Sequence, residues 1–184
     1  MIFNSHFEYM ELLRKFLSEE LKIKDDNIFD KFINYNKFLL DWNSKINLIS
    51  RNSKSIEAQV LNSIFFLTKY SIPNNSSIID IGTGGGFPGI PLKILRDDLM
   101  LTLIDSIIKK ANAVKDVVVK LNLKNVEVKS GRAETISKDL TYRKKFDIVT
   151  AKSVATLDKL YGWSKSFLGE KGVMVFIKGG DITE

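Results

Sequence analysis

Four glycines fall within five positions of the stretch Ser77-Ile-Ile-Asp-Ile-Gly-Thr-Gly-Gly-Gly-Phe-Pro-Gly-Ile-Pro91. The apolar run Ile78 to Ile81 predicts a buried strand, and Pro88 and Pro91 suit the first turn of a helix, where a missing amide donor costs nothing. Strand, glycine turn and helix follow one another. Glycine tolerates positive φ and carries no Cβ, so such a turn lets backbone pass close to a ligand. Its cost in backbone entropy argues against a bland loop and for a nucleotide-like ligand.

Two frames of the motif compete. Asp80-x-Gly82-x-Gly84-x-Gly86 is the pattern of an S-adenosylmethionine site, whereas Gly84-x-Gly86-x-x-Gly89 fits the dinucleotide fingerprint. An ionised Asp80 at the strand end would repel a pyrophosphate and attract the ammonium group of a methionine moiety. At about 4 Å and an effective dielectric near 20, a charge pair is worth roughly 4 kcal/mol before desolvation, so the acidic frame is favoured. A second apolar run, Leu99 to Ile104, ends at Asp105. A carboxylate there is placed to accept both ribose hydroxyl hydrogens, the usual role of an acid some twenty residues beyond the glycines. In the competing reading, Asp105 or Ser106 caps the next helix.

Composition narrows the chemistry. The 184 residues, 44% of them hydrophobic, suit one domain with an appendage. There is no cysteine, and the only histidine, His6, lies near the amino end. Thiolate chemistry, a Ser-His-Asp triad and cysteine or multi-histidine metal sites are thereby excluded, so no metal is expected. The net charge of +6 comes mostly from residues 71–184, which fits a polyanionic partner bound in a salt-dependent way. Lysine-rich compositional bias would give the same charge without a partner. Met1 to Met10 lack an apolar h-region, and no run reaches the eighteen or so apolar residues of a membrane span. The expectation is a cytoplasmic monomer that does not enter membranes.

Residues 1–70 predict a helical extension. Phe7, Met10, Leu13, Phe16, Leu17 and Leu21 form one stripe, and Ile28, Phe32, Tyr35, Leu39, Trp42 and Ile46 a second. Asp25 and Asp26 suit the break and the second N-cap. A third helix is expected over 54–70. Between them, Lys45 to Arg51 breaks the pattern, either as a connector or as a basic segment reaching phosphate.

From residue 71 strand and helix alternate. The glycine turn leads into a helix over Gly89 to Arg96. After Asp105 comes a helix with Ala111, Val114, Val118 and Leu121 on one face and Lys109, Lys110, Lys115 and Lys120 outside it. Val126 to Val128 predict a third strand, and the turn Ser130-Gly131-Arg132-Ala133-Glu134 at its carboxyl end could present backbone to an adenine edge. Phe146 to Val149 predict a fourth strand, with Thr150 to Ser153 leaving it on the rim. Thr156 can cap a helix reaching Leu168, Gly169 can stop it, and Val173 to Ile177 predict a fifth strand. This order implies an α/β fold with a parallel sheet and right-handed crossovers in residues 71–184, packed with the 1–70 extension as one unit.

Together these segments make the chain resemble the bacterial small-subunit ribosomal RNA guanine-N7 methyltransferase G family, also called glucose-inhibited division protein B. The resemblance runs from about Phe32 to Gly180. Its most specific part is Asp80-Ile-Gly-Thr-Gly-Gly-Gly-Phe-Pro-Gly-Ile-Pro-Leu92. Trp42-Asn43, Asn47-Leu48, Leu61 with Ser63, Leu103-Ile104-Asp105-Ser106, Lys109-Lys110, Arg132-Ala133-Glu134 and Lys178-Gly179 also match.

The resemblance implies a Rossmann-like class I methyltransferase sheet whose C-terminal hairpin strands are absent here. It also implies methyl transfer from S-adenosylmethionine to guanine N7 in 16S ribosomal RNA, free or within a ribosomal particle. By position it makes Gly82, Phe87, Ala133, Glu134 and Lys152 cofactor contacts, alongside Asp80, Gly84 and Asp105. Asp80 and Asp105 would grip the two ends of the cofactor and Phe87 would close over it. Arg51, Lys109, Lys152 and Lys178 would meet RNA, and no residue would act as a general base. Gln59 and Asn62 stand where the family commonly has His and Asp, and Lys152 where it has arginine. Rival readings are a methyltransferase with another substrate, a nicotinamide oxidoreductase, and a non-catalytic RNA-binding or assembly factor on the same fold.

Overall fold

In the computed structural model, residues 10–179 are described, so Phe7 and His6 lie outside the described residues. Among these residues three helices precede the sheet: α1 (Glu11–Glu19), α2 (Asp26–Asn43) and α3 (Glu57–Ile64), the last continued by a 3₁₀ turn (Phe65–Thr68). Asp25 is the N-cap of α2, its carboxylate accepting the Asn27 amide at 2.8 Å. The α2 stripe holds: Phe29, Phe32, Tyr35 and Leu39 are buried. Trp42 is only half-buried, because its indole N–H turns to the Asp116 carboxylate at 2.7 Å.

The sheet comprises β1 (Ser77–Ile81), β2 (Met100–Asp105), β3 (Val126–Ser130), β4 (Phe146–Lys152) and β5 (Leu168–Ile177). All are parallel, in the order β3-β2-β1-β4-β5. Between them run α4 (Gly89–Leu95), α5 (Ile108–Lys120), the single turn α6 (Ala133–Ile136) and α7 (Leu157–Phe167). The strand order reverses beside β1, and the carboxyl ends of strands flanking such a reversal leave a crevice for ligands.

Alternation along the strands sorts side chains into two cores. Ile78, Leu101, Leu103 and Ile148 join a cluster that runs through α4 and α5 to Phe32, Leu39, Val60 and Met10 in the extension. Ile79, Ile81, Ile104, Val149 and Ala151 face the other way, toward Leu160 and Phe167 of α7. The helical extension thus covers one face of the sheet only.

Several boundaries differ from expectation: the third strand runs on from Val128 to Ser130, the third helix is shorter than 54–70, and the last two strands differ most. The fourth strand continues through Thr150 and Ala151 to Lys152, because all three pair with β5 and the first two also with β1. The fifth begins at Leu168, directly after α7, so Gly169 lies inside the strand instead of stopping a helix. A register irregularity between Phe146 and Ile148 accommodates that early start.

The segment after α2 is organised by Asn43, a buried side chain whose Oδ1 accepts the amides of Leu48 and Ile49, each at 2.9 Å. Its amide nitrogen donates to the Ser50 carbonyl at 3.3 Å. Asn43→Ala should therefore lower stability by about 1–3 kcal/mol, the cost of leaving buried amides unpaired. Urea unfolding should show a lower midpoint at unchanged slope; an unchanged midpoint would mean that solvent replaces these bonds.

Candidate functional site

The glycine turn begins where β1 ends. Gly82 has φ +65°, and a Cβ there would lie 2.7 Å from Val154 Cγ1, so both conformation and space require glycine. Gly89, opening α4, sits so close to Leu103 of β2 that no side chain would fit. The turn is closed internally by the Gly86 and Phe87 amides, which donate to the Thr83 carbonyl at 2.8 and 2.9 Å.

A cavity of about 210 Å³ opens at the carboxyl ends of β1, β2 and β3. Gly82, Asp105, Ala133 and Glu134, named above as cofactor contacts, line it, whereas Gly84 does not. Its apolar walls, Ile81, Ile104, Val154 and Trp163, offer surfaces to a flat ring. Asp105 brings a carboxylate that is 7% exposed. One oxygen accepts the Gly84 amide at 2.9 Å, the other the Ile107 amide at 2.8 Å. The helix-organising and ligand-facing readings of Asp105 are therefore compatible, since a carboxylate has about four acceptor sites and two are used. A base against apolar walls with hydroxyls against Asp105 is what a nucleoside needs. The donor set thus fits the adenosyl part of the expected cofactor.

The structure places Asp80 apart from the cavity lining. Its carboxylate is fully buried and does not line the cavity. Oδ2 accepts the Thr83 hydroxyl at 2.7 Å and the Gly89 amide at 3.2 Å, while Oδ1 accepts the Thr150 hydroxyl at 3.0 Å. The reason is the strand's period of two: Ile79 and Ile81 face the cavity side, so Asp80 between them points to the extension's side. In this structure it braces the turn from beneath, both of its oxygens engaged by donors of the chain itself.

Phe87 and Lys152 share that side. Phe87 is 5% exposed, its ring centre 5.5 Å from that of Tyr35 and 5.6 Å from the Lys152 ammonium. Neither lines the cavity, so in this structure Phe87 does not close over it. Lys152 follows Ile148 and Thr150 on alternate positions of β4, ends that strand and is half-buried. Burial lowers its pKa and Asp80 opposes the shift.

Burial pushes the Asp80 carboxyl from 3.8 up to about 6, against the pull of Thr83, Gly89, Thr150 and Lys152. Burial, aided by Asp80, also raises the Tyr35 phenol well above its ordinary value, keeping it a neutral donor.

Of the candidate RNA contacts, Arg51 and Lys109 are exposed, on the turn after α2 and the first turn of α5. Lys178, also exposed, donates to the Ala155 carbonyl at 2.9 Å. Thr83, Thr150, Val154, Trp163 and Tyr35 went unnoticed as site residues. A signal existed for Tyr35, since a tyrosine on an otherwise apolar stripe needs a partner for its hydroxyl. Among the described residues no cluster of three or more His, Asp or Glu could hold a metal ion, and no helix is long and apolar enough to cross a membrane.

The model of the GidB family, described as rRNA small subunit methyltransferase G, matches residues 28–184. A relative named ribosomal RNA small subunit methyltransferase G from Clostridium botulinum (strain 657 / Type Ba4) is 34% identical over 179 residues, 96% of this chain and 75% of the relative. One of the same name from Clostridium novyi (strain NT) is 38% identical over 162 residues, 87% of this chain and 67% of the relative. Among solved structures, a SAM-dependent methyltransferase from Aquifex aeolicus superposes with a TM-score of 0.54 at 19% identity, covering 72% of this chain and 70% of the other. Coclaurine N-methyltransferase bound to N-methylheliamine and SAH gives 0.56 at 13% identity, covering 93% and 57%. At these identities the structural matches establish a shared fold.

The buried Asp80 has a consequence for pH. Below about pH 4 it is protonated whether the chain is folded or not; from about 4 to 6 the folded chain holds a proton that the unfolded chain releases. Its contribution to stability is therefore full at low pH and lost as pH rises through about 6, amounting to about 2–3 kcal/mol. Asp80→Asn should remove that slope, so the change in unfolding free energy between about pH 4 and pH 7 should shrink by a similar amount. An identical pH profile in the variant would show that Asp80 does not titrate in this range.

Proposed function

The chain belongs to the family of rRNA small subunit methyltransferase G, and on that premise we propose that it methylates N7 of a guanine in small-subunit ribosomal RNA, using S-adenosylmethionine. Asp105 carries the reading: a nearly buried carboxylate in the cavity wall, at the end of β2, with acceptor capacity left over after the Gly84 and Ile107 amides. Gly82, Ala133 and Glu134 would hold the adenosyl group with it. When bound, S-adenosylmethionine supplies an electrophilic methyl group, which the acceptor nitrogen must approach in line.

Guanine N7 has an in-plane lone pair and no proton to lose. None of this chain's residues therefore has to act as a base, which suits a sequence without cysteine and with one histidine at position 6. What the protein contributes is orientation and exclusion of water. Holding two reactants in near-attack geometry can supply on the order of 7–11 kcal/mol. The RNA partner, free or in a particle, would meet the exposed Arg51, Lys109 and Lys178, with affinity falling as salt rises. Lys152, half-buried against Phe87 and outside the cavity lining, would contact cofactor or RNA only where either extends past the end of β4.

Asp105→Ala should weaken S-adenosylhomocysteine binding by roughly tenfold or more, since a hydrogen-bonded charged group contributes about 1.5–3 kcal/mol. Calorimetry on the folded variant measures it, and unchanged affinity would remove the ribose role. Incubating labelled S-adenosylmethionine with unmethylated small subunits and mapping the product should place one methyl group on guanine N7. Label on another atom would refute that acceptor, and tight RNA and cofactor binding without label would favour a non-catalytic factor.

A further inference from the structure

Tyr35 belongs to α2, yet its hydroxyl reaches the glycine turn fifty residues later and donates to the Gly85 carbonyl at 2.7 Å. The side chain is fully buried, and its ring packs on Phe87, the residue that ends the glycine run. The turn is thus pinned at two points by side chains from different parts of the chain: the Gly84 amide by Asp105 and the Gly85 carbonyl by Tyr35. The internal bonds of the turn end on the Thr83 carbonyl and leave the Gly85 carbonyl unused.

A peptide unit between glycines can rotate with little resistance, because no Cβ restricts φ on either side. Gly84, Gly85 and Gly86 are such a run. Without an outside anchor their amides and carbonyls would sample several directions, and a ligand would have to select the one it needs, which lowers its affinity by the competent fraction. No residue before Ile81 lines the cavity among the described residues. The extension therefore acts on the ligand only indirectly, and the bond from Tyr35 to the Gly85 carbonyl gives it a route through the turn whose Gly84 amide Asp105 holds.

We infer that Tyr35 is a positioning residue for the cofactor: by fixing the Gly85 carbonyl it presets the glycine turn, and through it the helical extension sets cofactor affinity. The inference rests on the proposed cofactor reading of the cavity.

The test titrates S-adenosylhomocysteine into the wild-type chain, Tyr35→Phe and Trp42→Phe. Trp42→Phe cuts the bond from α2 to Asp116 on α5, away from the cavity, and controls for a general loosening of the extension. Tyr35→Phe should weaken binding about five- to tenfold, as expected for one lost hydrogen bond. Trp42→Phe should stay within about twofold while lowering the melting temperature at least as much. Equal affinity of Tyr35→Phe and wild type, or an equal loss in Trp42→Phe, would overturn the inference. If Tyr35→Phe does not fold, hydrogen exchange on the wild-type chain decides: the analogue should slow exchange in residues 83–90 and 33–38, but not in 11–19. Protection that stops at the turn would overturn it. A wild-type chain that does not bind the analogue would bring down the cofactor reading itself, and this inference with it.

Discussion

A carboxylate with no exposure to solvent sits under the glycine turn, and much of the site's geometry follows from how it is satisfied. An isolated buried charge is costly, so the Asp80 carboxylate stays only because donors surround it. Thr83 from the turn, the first amide of α4 and Thr150 from β4 all converge on it. These bonds tie β1, the turn, the next helix and the neighbouring strand to one pair of oxygens. The turn is consequently organised from below before anything binds above it.

The two-residue period of β1 divides the labour. Ile79 and Ile81 face the α7 side, and Ile81 reaches the cavity wall. Ile78 and Asp80 face α4 and the extension, where Tyr35, Phe87 and Lys152 complete a second cluster. One face thus receives the ligand's flat part while the other sets the shape of the turn between them. Asp105 links the two, because its carboxylate lies in the cavity wall and also holds the Gly84 amide.

Residues whose roles depend on spacing along the chain were legible in the sequence. Gly82, Asp105 at the end of the second strand, and the Gly131 to Glu134 turn at the end of the third all reach the cavity, whereas Gly84 touches it only through its bond to Asp105. The direction of Asp80 was not legible. In a run of four residues that is otherwise all isoleucine, both faces are apolar, so nothing in the pattern says which face the acid takes. The fourth strand was cut short for a related reason: Thr150 and Lys152 look like rim residues until their partners, Asp80 and the Phe87 ring, are known. Phe87, which the resemblance places over the cofactor, packs here on Tyr35, since adjacency to the glycines does not fix which way a ring turns. The Lys45 to Arg51 segment shows the limit of residue types: its order comes from Asn43, just outside it, through bonds no periodicity reveals.

The lysine at position 152 becomes intelligible in the same terms. An arginine offers a planar fork with several donors, suited to bidentate contacts, whereas lysine is a compact charge on a flexible stem. Here the ammonium lies over the Phe87 ring and is held up electrostatically by Asp80, both of which act on a point charge and demand no fork. Three of the roughly four acceptor sites on the Asp80 oxygens are already taken by two hydroxyls and an amide, so a guanidinium would find no free pair there. Lysine at this site is thus a cation placed for its field, half-desolvated between a ring and a buried acid. Its charge eases the ionisation of that acid, after the larger help of Thr83, Gly89 and Thr150.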